Sequence, residues 1–319
     1  MESAFHSSSL VCRGIFAENQ FHFSACRYKR VGMEKSAHGW INGFLGMLIF
    51  SASLPATRVA VMDFDPVFLT VARASIAGVL GVILLVALKQ KYPTRGDIVP
   101  LLIVALGVVV GFPLLTALAL QYLTSAHSMV FIGMLPLSTA IFGVIRAGER
   151  PHPAFWIFSV LGGALVAGFA LSHNVQVSPM GDALMFAAIL VCGLGYAEGG
   201  KLSRTLGGWQ VISWALLLSL PIMLSLTVWL RPPTFSDVGI PAWIGLAYVS
   251  LFSMLIGFVF WYRGLALGGI AAVGQLQLLQ PFLGLIWAAT LLHEPVSALM
   301  MAVTVGVIAC VFGARKFAG

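Results

Sequence analysis

The chain has 319 residues, 59% of them hydrophobic and only 9% charged, with a mean hydropathy of +0.97 and a formal charge of +7. Soluble domains carry roughly 45–50% apolar and about 25% charged residues, so this composition excludes a soluble fold and points to a membrane. Lys and Arg stand singly in short connections, with no basic stripe, which argues against a nucleic-acid partner.

Residues 1–39 form a polar N-terminal segment without an apolar run, read as cytoplasmic. Met33 directly precedes the first charged flank, Glu34-Lys35, and is a candidate true start; an organelle-targeting peptide rich in Arg is the alternative. A spanning helix needs about 20 mainly apolar residues. The first set of such runs is Trp40 to Met62, Val67 to Leu88, Ile98 to Leu120, Thr124 to Ile145 and Ala154 to Ser172. The second is Met180 to Leu202, Gly208 to Leu230, Pro241 to Tyr262, Ile270 to Leu292 and Val296 to Ala314. Seven of these ten segments lack any Asp, Glu, Lys or Arg, and the links between them carry turn chemistry such as Asp63-Phe64-Asp65-Pro66. The expected fold is an all-α integral membrane protein of ten transmembrane helices.

Orientation follows from loop charge. With the N-terminus inside, the inner flanks collect Lys89, Lys91, Arg95, Arg146, Arg150, Lys201, Arg204, Arg263, Arg315 and Lys316, against Arg231 alone outside. That asymmetry predicts a multi-pass protein of the cytoplasmic (inner) membrane with both termini in the cytoplasm. Trp40, Trp156, Trp209, Trp229, Trp243 and Trp261 fall toward helix ends, where the ring is expected at headgroup level, while Trp214 and Trp287 lie deeper.

The halves repeat. Gly111-Phe112 precedes Pro136 and Glu149 in the first, and Gly257-Phe258 precedes Pro281 and Glu294 in the second, with the same Pro-to-Glu spacing of thirteen. Residues 40–172 and 180–314 thus read as two copies of a five-helix unit. Five is odd, so the second copy enters the membrane from the opposite face, giving two inverted five-helix repeats. This architecture is common in secondary transporters, with the solute held near the midplane.

Over Trp40 to the C-terminus the sequence resembles the EamA-type family of the drug/metabolite transporter superfamily. The two Pro…Glu signatures carry the resemblance, with Arg73 at a position where the family habitually has a basic residue. The resemblance implies a ten-helix permease of a bacterial cytoplasmic membrane exporting amino acids, metabolites or drugs. The first helix departs from the family pattern, reading Phe50-Ser51-Ala52-Ser53-Leu54-Pro55-Ala56-Thr57-Arg58.

Ionisable groups inside spans are costly and mark function by default. Arg58 lies in the outer part of the first helix, Arg73 about two turns into the second, and Glu198 with Lys201 in the inner part of the sixth. Glu198 and Lys201 are three apart and suit a neutralised pair on one helix face, or a proton site at Glu198. Arg58 and Lys201 suit opposite mouths of a cavity for an anionic or zwitterionic solute, or lipid-facing cations that reach the headgroups. Arg73 has two readings, a structural anchor held by Asp63 or Asp65 and a fork for a solute carboxylate or phosphate. Gln277 and Gln280, with Gln275 beside them and Trp287 further on, are the cavity candidates of the ninth helix. Glu149 and Glu294 read as helix caps in preference to solute ligands, and His127 as interfacial in preference to a proton relay. No H-E-x-x-H, C-x-x-C or paired acid occurs within a span, so neither a metal nor a cofactor is called for. The expected partners are a small solute, the bilayer and, as coupling ion, the proton. Alternative functions are a scaffold with the carrier fold and an intramembrane lipid enzyme.

Overall fold

The structure, a computed structural model, describes residues 36–119, 122, 131–171, 178–280, 282, 283, 286, 287 and 298–318. Pro281, Glu294 and His127, and the side chain of Arg58, lie outside the described residues.

All regular structure among the described residues is helical. In chain order the helices are α1 (Ser36–Thr57, running on through Ser53–Ala60), α2 (Pro66–Ala87), α3 (Arg95–Thr116), α4 (Leu135–Ala147) and α5 (Pro153–Leu171). They continue as α6 (Pro179–Leu202), α7 (Gly208–Trp229), α8 (Ile240–Gly268), α9 (Ile270–Leu279) and α10 (Ala298–Lys316). Six of them, α1, α2, α3, α6, α7 and α8, are long and apolar enough to cross a bilayer. Their outward faces stay apolar: Ile41, Val86, Leu106, Ile222 and Ile244 are all at least half exposed, as a lipid-facing surface requires.

The polar residues between apolar runs start these helices. Asp65 accepts hydrogen bonds from Val67 and Phe68 N–H, both at 2.9 Å, and Pro66 fills the first turn of α2. The Asp97 carboxylate reaches back to Thr94 N–H at 2.9 Å and to its hydroxyl at 2.7 Å, opening α3. Asp63 accepts from Gly239 N–H at 2.8 Å and so ties the end of α1 to the start of α8. Two helices widen into π-helical turns in their middle, α3 at Ala105–Gly111 and α8 at Val249–Ile256. Each widening runs directly into the Gly-Phe pair that marks the repeat, Gly111-Phe112 and Gly257-Phe258. A π turn leaves backbone groups poorly paired and recurs at functional positions.

Helix packing between the first five helices and the last five is reciprocal. Helices α2 and α7 pack on each other, as do α4 and α9, and α5 and α10; α3 lies on α6 just as α8 lies on α1. Both of the last crossings put glycine on glycine. A Cβ on Gly195 would come within 3.3 Å of Gly107 Cα, and one on Gly264 within 2.7 Å of Gly43 Cα. Small residues let backbones approach this closely where no hydrophobic force draws helices together.

Candidate functional site

At the centre of the bundle α1, α6, α8 and α9 meet around an aromatic cluster. Phe50 and Phe258 have ring centroids 5.0 Å apart, Tyr196 and Trp261 5.5 Å, and Phe258 and Tyr262 5.3 Å. Trp261 is fully buried in this cluster. The headgroup position expected for it from its place in the chain is therefore wrong: α8 continues beyond it to Gly268, so the ring lies well inside the helix. Trp214 is likewise packed in the core, against Tyr92 at 5.7 Å.

Gln277 stands beside this cluster, with Gln275 two residues before it. Helix α9 tightens from an α-helical start, Ile270–Gly274, into a 3₁₀ segment, Gln275–Leu279. Within that segment Gln275 is 0% and Gln277 1% exposed; among the described residues neither amide makes a well-formed hydrogen bond, and the group that approaches the Gln277 amide is the Tyr196 hydroxyl. The Trp261 indole N–H is also unpartnered. Gln277 lies beside Tyr196, which in turn faces Cys192 and Tyr262; the Tyr262 hydroxyl donates to Gly195 C=O at 3.3 Å. A buried, unpaired amide costs about 1–3 kcal/mol, so an arrangement holding two such amides in one segment is expensive unless something else meets them. Gln280 is half-buried just beyond, and Trp287 Nε1 donates to Ser51 Oγ of α1 at 3.0 Å.

Toward the end of the bundle that holds the start of α9, charged groups tie the two halves. Arg146 near the C-terminus of α4 is ion-paired through Nε with Glu198 of α6, which is 1% exposed. Glu149 follows the left-handed Gly148 that ends α4 (φ 69°). Its carboxylate accepts from Ile270 and Ala271 N–H at 2.8 and 2.7 Å and from the Arg204 guanidinium at 2.7 Å. Glu149 thereby caps α9 from the other half of the chain, where the helix dipole favours negative charge. The expected Glu198–Lys201 pair does not form: Lys201 is exposed, and Arg146 takes the carboxylate from across the α4–α6 contact. The cause is directional, since a Lys three residues on from Glu198 can also turn outward to water, whereas Arg146 already faces α6.

Toward the opposite end, Arg73 of α2 holds its Nε buried with no hydrogen-bond partner among the described residues. Neither carboxylate proposed as its anchor serves it, because Asp65 caps α2 and Asp63 holds Gly239. Ser53 Oγ on α1 and Thr116 Oγ1 on α3 are likewise buried and unpartnered. The structure thus brings Gln277, Tyr196 and the aromatic cluster together, keeps Glu198 one turn away in an ion pair, and leaves Arg73 apart on α2. Arg146, Tyr196 and Trp261 had no signal of their own in the sequence. The one hint was that Gln275 and Gln277 are amides in hydrocarbon that must find partners.

A polytopic helical membrane protein with a buried polar junction between two reciprocally packed halves is the architecture of a membrane carrier. The chain belongs to the EamA-like transporter family, which matches it twice, over residues 37–171 and 179–315. It is 66% identical over 286 residues to a Bacillus subtilis (strain 168) protein named "Uncharacterized transporter YdeK", covering 90% of this chain and all of that protein. A second protein of the same strain, "Uncharacterized transporter YyaM", is 22% identical over 236 residues, 69% of this chain and 75% of that one. A solved crystal structure, at 18% identity, superposes with a TM-score of 0.74 over 88% of this chain and 98% of its own, which shows a shared fold. Family and relatives together point to a membrane transporter and away from an enzyme.

Proposed function

We propose that the protein is a secondary transporter that exports a small metabolite, amino acid or drug across the cytoplasmic membrane, taking its solute where Gln277 lies beside Tyr196, with Gln275 in the same 3₁₀ segment. The observation that carries this is the pair of fully buried glutamines whose amides, among the described residues, make no well-formed hydrogen bond, with the Tyr196 hydroxyl the polar group beside Gln277. Folding alone would favour Leu there. A solute that hydrogen-bonds these amides during transport accounts for their retention. The two halves act as inverted five-helix repeats, with both termini in the cytoplasm; the reciprocal helix packing and the paired π turns support this reading.

Protons are the proposed coupling ion and Glu198 their site. Arg146 is the charged group that faces Glu198 from α4, Tyr262 faces the next turn of α6 from α8, and Lys201 turns away. Protonation of the Glu198 carboxylate would release Arg146 and loosen the tie between α4 and α6.

Reconstitution in proteoliposomes tests the solute site. Amino acids, nucleosides and cationic dyes are offered in counterflow, and Gln277→Leu is compared with the parent. The variant is expected to melt higher, because about 1–3 kcal/mol of unpaired amide is removed, and to lose counterflow of whichever solute the parent carries. A variant that transports normally would remove Gln277 from the site. Glu198→Gln keeps an acceptor for Arg146 and is expected to retain counterflow while losing accumulation driven by a proton gradient; proton-driven accumulation at the parental rate would move the coupling site elsewhere.

A further inference from the structure

A groove of about 430 Å³ opens on the outer surface of the bundle between the start of α1 and the end of α10. Phe44 and Phe312 wall it, both well exposed, and Leu276 and Leu279 of α9 form its floor. One end is closed by Arg315, whose guanidinium lies 4.7 Å from the centroid of the Trp40 ring. Among the described residues no carboxylate pairs with Arg315, and Lys316 is the next residue in the chain.

We infer that this groove holds one anionic phospholipid, with an acyl chain along Phe44 and Phe312 and the phosphate against Arg315. An apolar groove ending in a cation braced on a tryptophan matches the two parts of a lipid in the order a bilayer presents them. Charge selects the headgroup. A zwitterionic lipid would bring its own ammonium toward Arg315 and Lys316, whereas a headgroup of net negative charge meets two cations; each is worth roughly one kcal/mol, about five-fold in affinity. The chain fills a surface whose floor belongs to the same 3₁₀ segment that turns Gln275 and Gln277 into the bundle. Lipid occupancy therefore sets the packing behind the candidate solute site. Only the choice of leaflet, the cytoplasmic one, rests on the orientation proposed above.

The test uses the full chain, purified and placed in nanodiscs, and needs no transport. Phosphatidylglycerol brominated on its acyl chain is titrated against brominated phosphatidylcholine, and tryptophan quenching is read as the difference between the parent and Trp40→Phe. The parent is expected to prefer phosphatidylglycerol by about ten-fold or more. Arg315→Gln combined with Lys316→Gln should bring the ratio close to one, while the charge-conserving Arg315→Lys retains most of it; all these positions are at the surface, and gel-filtration profiles check the fold. Equal quenching by the two lipids in the parent overturns the inference, as does a preference unchanged in the double variant. Displacement of the glycerolipid by millimolar inorganic phosphate would mean a free-anion site instead, and a dimer mass with no Trp40 quenching would mean that a second copy covers the groove; either result overturns it.

Discussion

Arg73, half-buried with its Nε wholly enclosed, shows what a single side chain implies once its neighbours are known. A guanidinium keeps its charge at any accessible pH and offers five donors, so a buried Nε with nothing to meet is a cost the fold must bear. Had Asp63 or Asp65 met it, the cost would be repaid by an ion pair, but both carboxylates are engaged with backbone N–H groups. The solute-binding reading gains by that elimination. We expect Arg73→Lys to be inserted with a melting temperature within a few degrees of the parent, since no structural partner is lost, and to raise the apparent KM because a point charge replaces a planar fork. Loss of folded protein in that variant would instead return Arg73 to a structural role. The sequence made Arg73, Glu198 and Gln277 conspicuous because each is a polar group in hydrocarbon, a signal that needs no neighbours. It could not reveal Arg146, which reads as an ordinary loop charge until α4 is laid against α6 and 52 residues of separation collapse to an ion pair.

At the scale of elements, α9 depends on a residue from outside its own half. The helix begins at Gly269, whose φ of 90° no side chain adopts readily and whose lack of a polar side chain leaves the first N–H groups without a local cap. Glu149 supplies the cap, and Arg204 holds Glu149 in place. Charge-assisted hydrogen bonds of this kind contribute about 1.5–3 kcal/mol each. Glu149→Gln keeps one carbonyl oxygen but forfeits the charge, so it is expected to lower the detergent melting temperature by several degrees, with Arg204→Gln producing part of the same loss. If Glu149→Gln melts with the parent, the cap contributes nothing and the recurrence of Glu at this spacing needs another cause. The element pattern was legible to different depths. Apolar run lengths and turn residues located the six long helices well, because insertion and capping are decided locally, whereas the described parts of α4 and α9 are shorter than the runs that predict them. The π turns of α3 and α8 and the 3₁₀ segment of α9 left no mark in the apolar pattern, since they arise where helices cross and not within one helix.

The molecule as a whole is organised by the reciprocity of its helix contacts. If α2 and α7, α4 and α9, and α5 and α10 are equivalent elements meeting across a pseudo-two-fold axis, and each half holds an odd number of spans, that axis lies in the membrane plane and the halves face opposite ways. The proposed orientation uses the positive-inside asymmetry to assign the ends: Arg146, Arg204, Arg263 and Arg315 gather at the end where Glu149 and Glu198 join the halves, and Arg231 stands at the other. On the proposed orientation the charged tie lies at the cytoplasmic end, where its two ion pairs would have to part to open a path from that side. Labelling of single cysteines in intact cells tests this directly. Thr205 and Ser236 are both exposed and lie in the connections at either end of α7. Ser236→Cys is expected to react with a membrane-impermeant maleimide added outside, and Thr205→Cys only after the cells are permeabilised, each scored against the parent protein carrying its native cysteines. Labelling of both from outside would mean that α7 does not cross, and the opposite pattern would turn the whole bundle over, placing the ion pairs at the external mouth.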